Sequence, residues 1–293
     1  MTPQDYEYLR KLLKDRSGLV LSADKQYLVE SRLVPLARKA GLPGITELVT
    51  KMKVPGGEAL TVDVIEAMTT NETFFFRDKV PFDHLKQTIL PEVLAARASR
   101  RSLRIWCAAS STGQEPYSIA MCLKEISAQI AGWRVEILAT DLSPSVLEKS
   151  KAGIFSQFEV QRGLPIQMLV KHFTQTGELW QLNADIRGMV QHRQLNLLQD
   201  FTHLGMFDVI FCRNVLIYFD QETKANIFGR LARMVEPDGY LLLGAAETVV
   251  GLTDAFKPYP ERRGLYRPSG APAPRVGTAS AMPPLRAVAS ASR

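Results

Sequence analysis

The stretch "LRIWCAASSTGQEPYSIAMCLKEISAQIAGWRVEILATDLSPSVLEKSKAG" at positions 103–153 decides the fold, because short apolar runs alternate in it with amphipathic stretches. The runs "LRIWCAA" and "VEILATD" have the length of buried strands, and the stretches that follow them have helical spacing. Such alternation is typical of βαβ units, whose strands lie parallel in one sheet. We therefore predict an α/β domain with a Rossmann-like sheet.

The same alternation resumes downstream after one interruption. The segment "HFTQTGELWQLNADIRGMVQHRQLNLL" indicates an antiparallel hairpin with a glycine turn, so we predict a small inserted β-subdomain at about 155–190. The sheet then continues with the strand "FDVIFCRNV", the helix "DQETKANIFGRLARMV", the turn "EPDG" and the strand "YLLLGAAE". The stretch "AFKPYPERRGLYRP" predicts a final hairpin, which would close the domain near 267.

The residues before the sheet have a different, purely helical pattern. Positions 1–67 predict a small helical domain, with helices ending near Gly18 and Gly41 and a third helix, "GITELVTKM", before the turn "VPGG". Pro35 should kink the second helix. Residues 68–102 would form a linker and seam helices, and 103–267 the catalytic domain. The tail 268–293 is rich in Pro, Ala, Ser and Gly without periodicity, and we expect it to be disordered.

Composition excludes several classes of protein. Three arginines after Pro268 account for half of the net charge of +6. The sequence has no dense stripe of Lys and Arg, so it does not favour a nucleic-acid partner. The three cysteines, Cys107, Cys122 and Cys212, lack CxxC spacing, so we expect reduced thiols and no metal site. No apolar window reaches the ~18 residues of a membrane span, and no secretory signal precedes the first helix. We expect a soluble, cytoplasmic protein without direct membrane insertion.

The first candidate site lies where the first two strands end. The loop "CAASSTGQEP" lacks both GxGxxG and GxxxxGK[ST], so a diphosphate ligand is poorly supported, although Gly113 and its small neighbours would let a ligand approach the backbone. Asp141 closes the second strand and suits the two hydroxyls of a ribose. Its alternative role is the N-cap of the next helix, for which Ser143 before Pro144 is better placed. A ribose without a diphosphate site points to S-adenosylmethionine.

The second candidate site is the stretch "FCRNVLIYF", in which Arg213, Asn214 and Tyr218 follow a buried run. Side chains in this position lie at the carboxyl edge of a parallel sheet, where ligands bind. Structural roles are the alternatives, with Asn214 satisfying loop backbone and Tyr218 serving as a core aromatic.

Taken together, the motifs "TTNETFFFRD", "WCAASSTGQEPYSIA", "ILATDLS", "NLL", "FDVIFCRNVLIYF" and "GYLLLGAAE" resemble, in this order, the CheR family of chemotaxis receptor methyltransferases. The resemblance covers the chain from the first helix to about Arg267. It implies an S-adenosylmethionine-dependent methyltransferase sheet in which Phe74–Phe76 pack the seam between the two domains. It also implies cofactor contacts at Asn71, Thr73, Arg77, Glu115, Asp141, Asn196, Leu197, Arg213 and Asn214.

The resemblance further implies the reaction and the partner. The protein would methylate glutamate carboxylates on the cytoplasmic helices of chemoreceptors for chemotaxis adaptation, release S-adenosylhomocysteine, and act as a monomer recruited to membrane-bound receptor arrays. Tyr218 would orient the incoming carboxylate, because a phenol can donate a hydrogen bond at neutral pH. Arg213, or an arginine of "ARASRR" at 96–101, would add charge complementarity.

Substrate docking is a separate expectation. Lys25, Arg32 and Lys39, with Arg38 beside them, recur at helical spacing and would meet an acidic receptor helix, unless they form only a solvated face. The hairpin "HFTQTGELWQL" is shorter than in family members that bind a C-terminal receptor pentapeptide, which favours a pentapeptide-independent enzyme. Two alternatives remain open: a non-catalytic S-adenosylmethionine sensor, and an RNA or small-molecule methyltransferase on the same fold.

Overall fold

A computed structural model of the chain describes residues 1–272, so the part of the predicted tail after Pro272 lies outside the described residues. The chain begins with four helices, α1 (Pro3–Ser17), α2 (Gln26–Lys39), α3 (Ile45–Met52) and α4 (Glu58–Met68). A capping box starts α1, in which the Thr2 hydroxyl accepts from the Asp5 amide and the Asp5 carboxylate accepts from the Thr2 amide. These helices share a hydrophobic core of their own. Helix α2 is continuous across Pro35.

One helical stretch connects this helical unit to the sheet. It consists of α5 (Val80–His84), a π-helical turn (Leu85–Ile89) and α6 (Leu90–Ala96). It lies within the predicted linker, after the irregular segment 69–79 that carries the three phenylalanines.

The main sheet has seven strands, and the predicted parallel topology is confirmed. Its order is β6 (Val190–Gln194), β2 (Arg134–Asp141), β1 (Ser102–Cys107), β7 (Phe207–Cys212), β8 (Val235–Leu243), β10 (Leu265–Pro268) and β9 (Phe256–Pro258). The first five of these run parallel, and β9 and β10 form the predicted antiparallel hairpin at the edge. The predicted turn "EPDG" belongs instead to β8, which pairs with β7 across a register shift.

Successive residues of β1 separate the two faces of the sheet. Ile105 belongs to one hydrophobic cluster and Trp106 to the other, as alternation along a strand requires. Helices α7 (Gln114–Glu125), α8 (Pro144–Ala152) and α12 (Gln221–Ala232) connect the parallel strands. Because the chain order in the sheet reverses between β1 and β7, a crevice opens at the carboxyl ends of these two strands.

The inserted β-subdomain is confirmed and contains one strand more than the predicted hairpin. Its sheet has the order β3 (Ile154–Ser156), β5 (Leu179–Leu182) and β4 (Phe173–Thr176), and three short helices accompany it: α9 (Gln157–Gln161), α10 (Ile166–His172) and α11 (Ala184–Arg187). Phe75 packs edge-on against Phe155 and Phe173, with ring centroids 5.0 and 5.6 Å apart. Phe75 of the linker therefore packs the β-subdomain against the main domain.

The arginines of "ARASRR" lie at the opposite edge of the sheet from the crevice. Arg97 and Arg100 donate to the buried Asp208 carboxylate, at 2.7 and 2.8 Å, beside the amino ends of β1 and β7. Arg101 donates to the carbonyl of Ala131. The prediction that one of them complements the charge of the substrate was therefore wrong, because their charge is used to close the far edge of the sheet.

Candidate active site

A cleft of about 960 Å³, counted out to its open mouth, lies at the carboxyl ends of β1, β2, β6 and β7. Ser17 and Leu19 from the helical unit line the same cleft. The cleft brings together all nine residues predicted to contact the cofactor, as well as Tyr218: Asn71, Thr73, Arg77, Glu115, Asp141, Asn196, Leu197, Arg213 and Asn214. Their individual roles stay predictions, but residues from five separate segments meet in one place.

Asp141 ends β2 with its carboxylate held by two backbone amides. The amides of Ser111 and Ser143 donate to its two oxygens, at 2.8 and 3.0 Å. Ser143, not Asp141, is the N-cap of α8, so the capping role for Asp141 is excluded. Burial raises the pKa of Asp141, partly offset by these amides. A carboxylate oxygen accepts more than one hydrogen bond, so Asp141 keeps acceptor capacity for the hydroxyls of a ribose.

Glu115 lies in the first turn of α7 and forms a buried ion pair with Arg213. The Arg213 Nη1 and Glu115 Oε2 atoms are 2.7 Å apart. Burial raises the pKa of Glu115, and the guanidinium of Arg213 opposes that rise. A carboxylate in this position fits the α-ammonium group of a methionine-like ligand.

Arg213 joins three segments beneath the cleft. Its side chain is 1% exposed, and its Nη2 donates to the carbonyl of Arg77 at 2.9 Å and to the Asp78 carboxylate at 2.8 Å. Its Nε is buried and has no hydrogen-bond partner within residues 1–272.

The loop that begins with Asn214 is held by Glu247, a residue that sequence reasoning did not select. The Glu247 carboxylate accepts from the amides of Asn214, Val215, Leu216 and Gly244, at 2.7–3.0 Å. The backbone of this loop is therefore held by Glu247. The sequence analysis had considered that role for Asn214. The available signal was a single acidic residue at the end of the apolar run "GYLLLGAAE".

Tyr218 ends a short 3₁₀ turn (Leu216–Tyr218) and lines the cleft. Its ring packs at the margin of one hydrophobic cluster, which is part of the core role considered as an alternative. Its hydroxyl forms no hydrogen bond with any residue that the structure describes. The phenol is therefore a free donor in the cleft.

Small residues line the cleft as expected, but Gly113 is not one of them. Ala108, Ala109 and Ser111 form the wall. Gly113 has φ +96°, and a Cβ there would collide with Ser150 Oγ and lie 2.9 Å from Tyr117 Cε2. Gly113 is thus required by helix packing rather than by a ligand, and that expectation was wrong.

The linker turns its polar side chains to the cleft and its aromatic rings away from it. Asn71, Thr73 and Arg77 line the cleft, whereas Phe75 and Phe76 are buried in the main core. The Asn71 carbonyl accepts from the Ser111 hydroxyl at 2.8 Å, which ties the linker to the loop after β1. The segment "TTNETFFFRD" therefore combines polar side chains that line the cleft with aromatic side chains that pack into the core.

Two predicted residues are already engaged within the protein. The Asn196 amide donates to the carbonyl of Arg16 at 2.7 Å, so it links the sheet to the end of α1. The Arg32 guanidinium donates to the carbonyls of Met68 and Thr69, at 2.6 and 3.2 Å, and to the Thr70 hydroxyl at 3.0 Å. Arg32 therefore holds the start of the linker.

The remaining predicted docking residues are more accessible. Arg38 and Lys39 are exposed at the end of α2, and the Lys25 amine lies 3.7 Å from the Asp24 carboxylate. Within the described part of the chain, no group of three or more His, Cys, Asp or Glu side chains could hold a metal ion. None of the helices at 1–272 combines the length and apolar character that crossing a membrane requires.

Known proteins match this chain over most of its length. A family model described as the CheR methyltransferase SAM binding domain matches residues 71–265, and one for the CheR methyltransferase all-alpha domain matches residues 4–69. Chemotaxis protein methyltransferase 1 of Pseudomonas aeruginosa is 44% identical over 257 residues, which cover 86% of this chain and 93% of that protein. The chemotaxis protein methyltransferase of Vibrio anguillarum is 41% identical over 260 residues, covering 88% and 94%.

Among solved structures, PKMT2 from Rickettsia typhi aligns with a TM-score of 0.36 and 16% identity over 59% of this chain and 26% of that chain, a likeness too low to add to the assignment. The assignment rests on the two family models and the two relatives. This chain therefore belongs to the CheR family of S-adenosylmethionine-dependent methyltransferases.

Proposed function

We propose that this protein transfers the methyl group of S-adenosylmethionine to glutamate carboxylates on the cytoplasmic helices of chemoreceptors, at membrane-bound receptor arrays. The product on the receptor is a glutamate methyl ester, and the second product is S-adenosylhomocysteine. The observation that carries the proposal is the free hydroxyl of Tyr218 in the same cleft as the buried carboxylates Glu115 and Asp141. The relatives named chemotaxis protein methyltransferases support the biological setting.

The cleft offers a matching group for each part of the cofactor. Asp141 would accept from the ribose hydroxyls, and Glu115 from the ammonium group. Arg77, which lines the cleft, would serve the methionine carboxylate. When bound, the cofactor supplies an electrophilic methyl group.

The residues of the chain need only orient the nucleophile. A glutamate side chain has a reference pKa of about 4.3 and is ionised near neutral pH, so no general base is required. The Tyr218 hydroxyl would donate to one oxygen of the incoming carboxylate and direct the other oxygen at the methyl group. Such alignment can account for several kcal/mol of barrier lowering, about 7 or more in well-oriented cases. The charge of Arg213 is taken up by Glu115 and Asp78, which favours a positioning role for it.

Receptor docking is assigned to the exposed end of α2. Arg38 and Lys39 point away from the described hydrogen-bond networks and would meet an acidic helix, whereas Arg32 is occupied with the linker. The β4–β5 connection consists of Gly177 and Glu178 alone, which supports methylation without a receptor pentapeptide.

The function is tested by methyl transfer from labelled S-adenosylmethionine to a purified receptor cytoplasmic fragment. We expect base-labile label on glutamate, at the same rate whether or not the fragment ends in the pentapeptide. The control is a fragment whose labelled glutamates are changed to glutamine. Calorimetric cofactor binding without transfer would contradict the proposal and favour a sensor, and tight pentapeptide binding would contradict the independence.

Changing Tyr218→Phe should lower turnover by about 10- to 100-fold, because loss of one donor lets the carboxylate swing out of line. Cofactor affinity measured by calorimetry should stay unchanged. Tyr8→Phe, on α1 and away from the lining of the cleft, is the matched control. Equal turnover in the Tyr218 variant and the parent protein would remove Tyr218 from the reaction.

Changing Glu115→Gln should weaken cofactor binding by roughly 10- to 100-fold, as expected for loss of a charge-assisted hydrogen bond. Because burial raises the pKa of Glu115, the parent protein should lose cofactor affinity on acidification already above the ordinary range of a glutamate. Protonation removes the charge that attracts the ammonium, so affinity is complete only above this raised pKa.

Calorimetric measurements of cofactor affinity at several acidic pH values test this pH dependence. They contain no receptor, so protonation of the substrate glutamate does not affect them. The variant should show a flatter pH profile, with any remaining slope due to Asp141. Glu125→Gln, exposed at the other end of α7, is the control and should behave as the parent protein. An unchanged affinity in the Glu115 variant would reject the ammonium contact.

Changing Arg38→Glu and Lys39→Glu together should raise the apparent KM for the receptor fragment by about tenfold at low salt and less at high salt, because exposed charges are screened. The cofactor affinity should not change. Arg32→Glu should weaken cofactor binding as well, since it releases the linker that lines the cleft. A receptor KM that is insensitive to the double change would exclude this face of α2 from docking.

A further inference from the structure

The end of α1 contacts the loop that carries Tyr218 at three successive positions. The amide of Val20 donates to the carbonyl of Tyr218 at 3.0 Å. Gly18 faces the ring of Phe219. The Lys14 amine lies 2.9 Å from the Asp220 carboxylate. The helical unit therefore touches every residue from 218 to 220.

Gly18 leaves no room for a side chain beside the ring of Phe219. A Cβ added to Gly18 would lie 2.7 and 2.8 Å from Cε1 and Cδ1 of Phe219, and 3.3 Å from Cδ2 of Leu198. Both separations from the ring are shorter than real side chains adopt, and Phe219 is buried in the core, so the ring would have to shift.

The usual reason for a glycine at a helix end does not explain this contact. Gly18 has φ +77°, the left-handed conformation that commonly ends a helix. Gly41 follows α2 with a similar φ of +71°, yet nothing lies within 4 Å of a Cβ added there. The two glycines have similar φ values, but Gly18 is buried against a ring and Gly41 is exposed with open space around it.

The loop around Tyr218 is held at both ends and is free in the middle. Glu247 holds its first residues through the amides of Asn214, Val215 and Leu216. The segment 14–20 holds its last residues. The Tyr218 hydroxyl has no partner among the described residues, so its position follows from the backbone of the loop and from the packing of its ring at the margin of the hydrophobic cluster.

We propose that the helical unit positions the side chain of Tyr218, with Gly18 and the amide of Val20 as the positioning residues. This inference rests on the proposed role of Tyr218 in orienting the substrate carboxylate. The helical unit then does more than dock the receptor, since it completes the geometry at the reacting carboxylate. A merely structural contact would affect stability but not the chemical step.

The test compares Gly18→Ala with Gly41→Ala in the full chain. Both changes place an alanine in a left-handed conformation, and Gly18→Ala adds the collision with Phe219, so it should lower thermal stability more than Gly41→Ala does. Only Gly18→Ala should lower kcat for the receptor fragment, by about 10- to 100-fold, as expected for a displacement near 1 Å. Cofactor Kd, measured by calorimetry, should change much less than kcat.

A double-mutant cycle identifies the contact that matters. Phe219→Leu removes the ring atoms that a Cβ at position 18 would meet, so it should restore part of the kcat lost in Gly18→Ala. In the Gly41→Ala background the same change should restore nothing. Should Gly18→Ala not fold, Gly18→Asn and Gly41→Asn replace the pair, because asparagine tolerates this conformation while carrying the same Cβ.

The outcomes separate the two proposals. If Tyr218→Phe lowers kcat but the Gly18 and Gly41 variants keep equal, near-parental kcat, the positioning role is overturned and the proposed function stands. If Tyr218→Phe is fully active, the role of Tyr218 falls, and the positioning inference falls with it. A selective loss in the Gly18 variant that Phe219→Leu partly reverses supports the inference.

Discussion

The buried ion pair between Arg213 and Glu115 is the interaction on which the rest of the site depends. Arg213 comes from the end of β7, Glu115 from the first turn of α7, and the same guanidinium also binds Asp78 and the carbonyl of Arg77 in the linker. Removing one partner of such a pair leaves an uncompensated buried charge, at a cost of about 3–5 kcal/mol. Through the same guanidinium, Arg213 ties the linker at Arg77 and Asp78 to the end of β7, beside the cleft.

The fixed linker and loops include several strained residues, and the contacts around them explain why these persist. Ser111 and Asn214 line the cleft with left-handed φ values of 48° and 58°, and Phe76, Asp78 and Lys79 have φ values of 52°, 68° and 52°. Each such conformation costs about 1–3 kcal/mol in a residue other than glycine. Four amide hydrogen bonds to one carboxylate, and the tie between the loop after β1 and the linker, hold the strained loops in place. The strain lies where the backbone must bend sharply to present polar groups to a ligand.

The apolar runs of the sequence predicted the sheet, and the ends of those runs predicted the cleft. Asp141 was found because a strand ends there, which is local information. The strand Ile154–Ser156 was missed because three residues show no period. Glu247, Gly18 and Arg97 were missed or misplaced because their partners lie far away in the chain, and no spacing rule reveals which backbone amides or rings will face a given side chain. Residue type and local pattern thus predict which side chains can bind a ligand. Which side chains support them depends on packing between residues that are distant in the sequence.

The same limit applies to the helical unit, which the sequence presented as a separate docking domain. Several of its contacts with the rest of the chain fall on the site itself. Arg32 of α2 binds the linker at Met68 to Thr70, the carbonyl of Arg16 accepts from Asn196, and the Gly18–Val20 segment supports the Tyr218 loop. A movement of α1 and α2 relative to the sheet must either break these hydrogen bonds or carry the linker and the loop with it. On the proposed function, a receptor helix that binds α2 therefore contacts the same elements that hold the walls of the cofactor cleft. Docking of the receptor and alignment of its glutamate with the cofactor then depend on the same contacts.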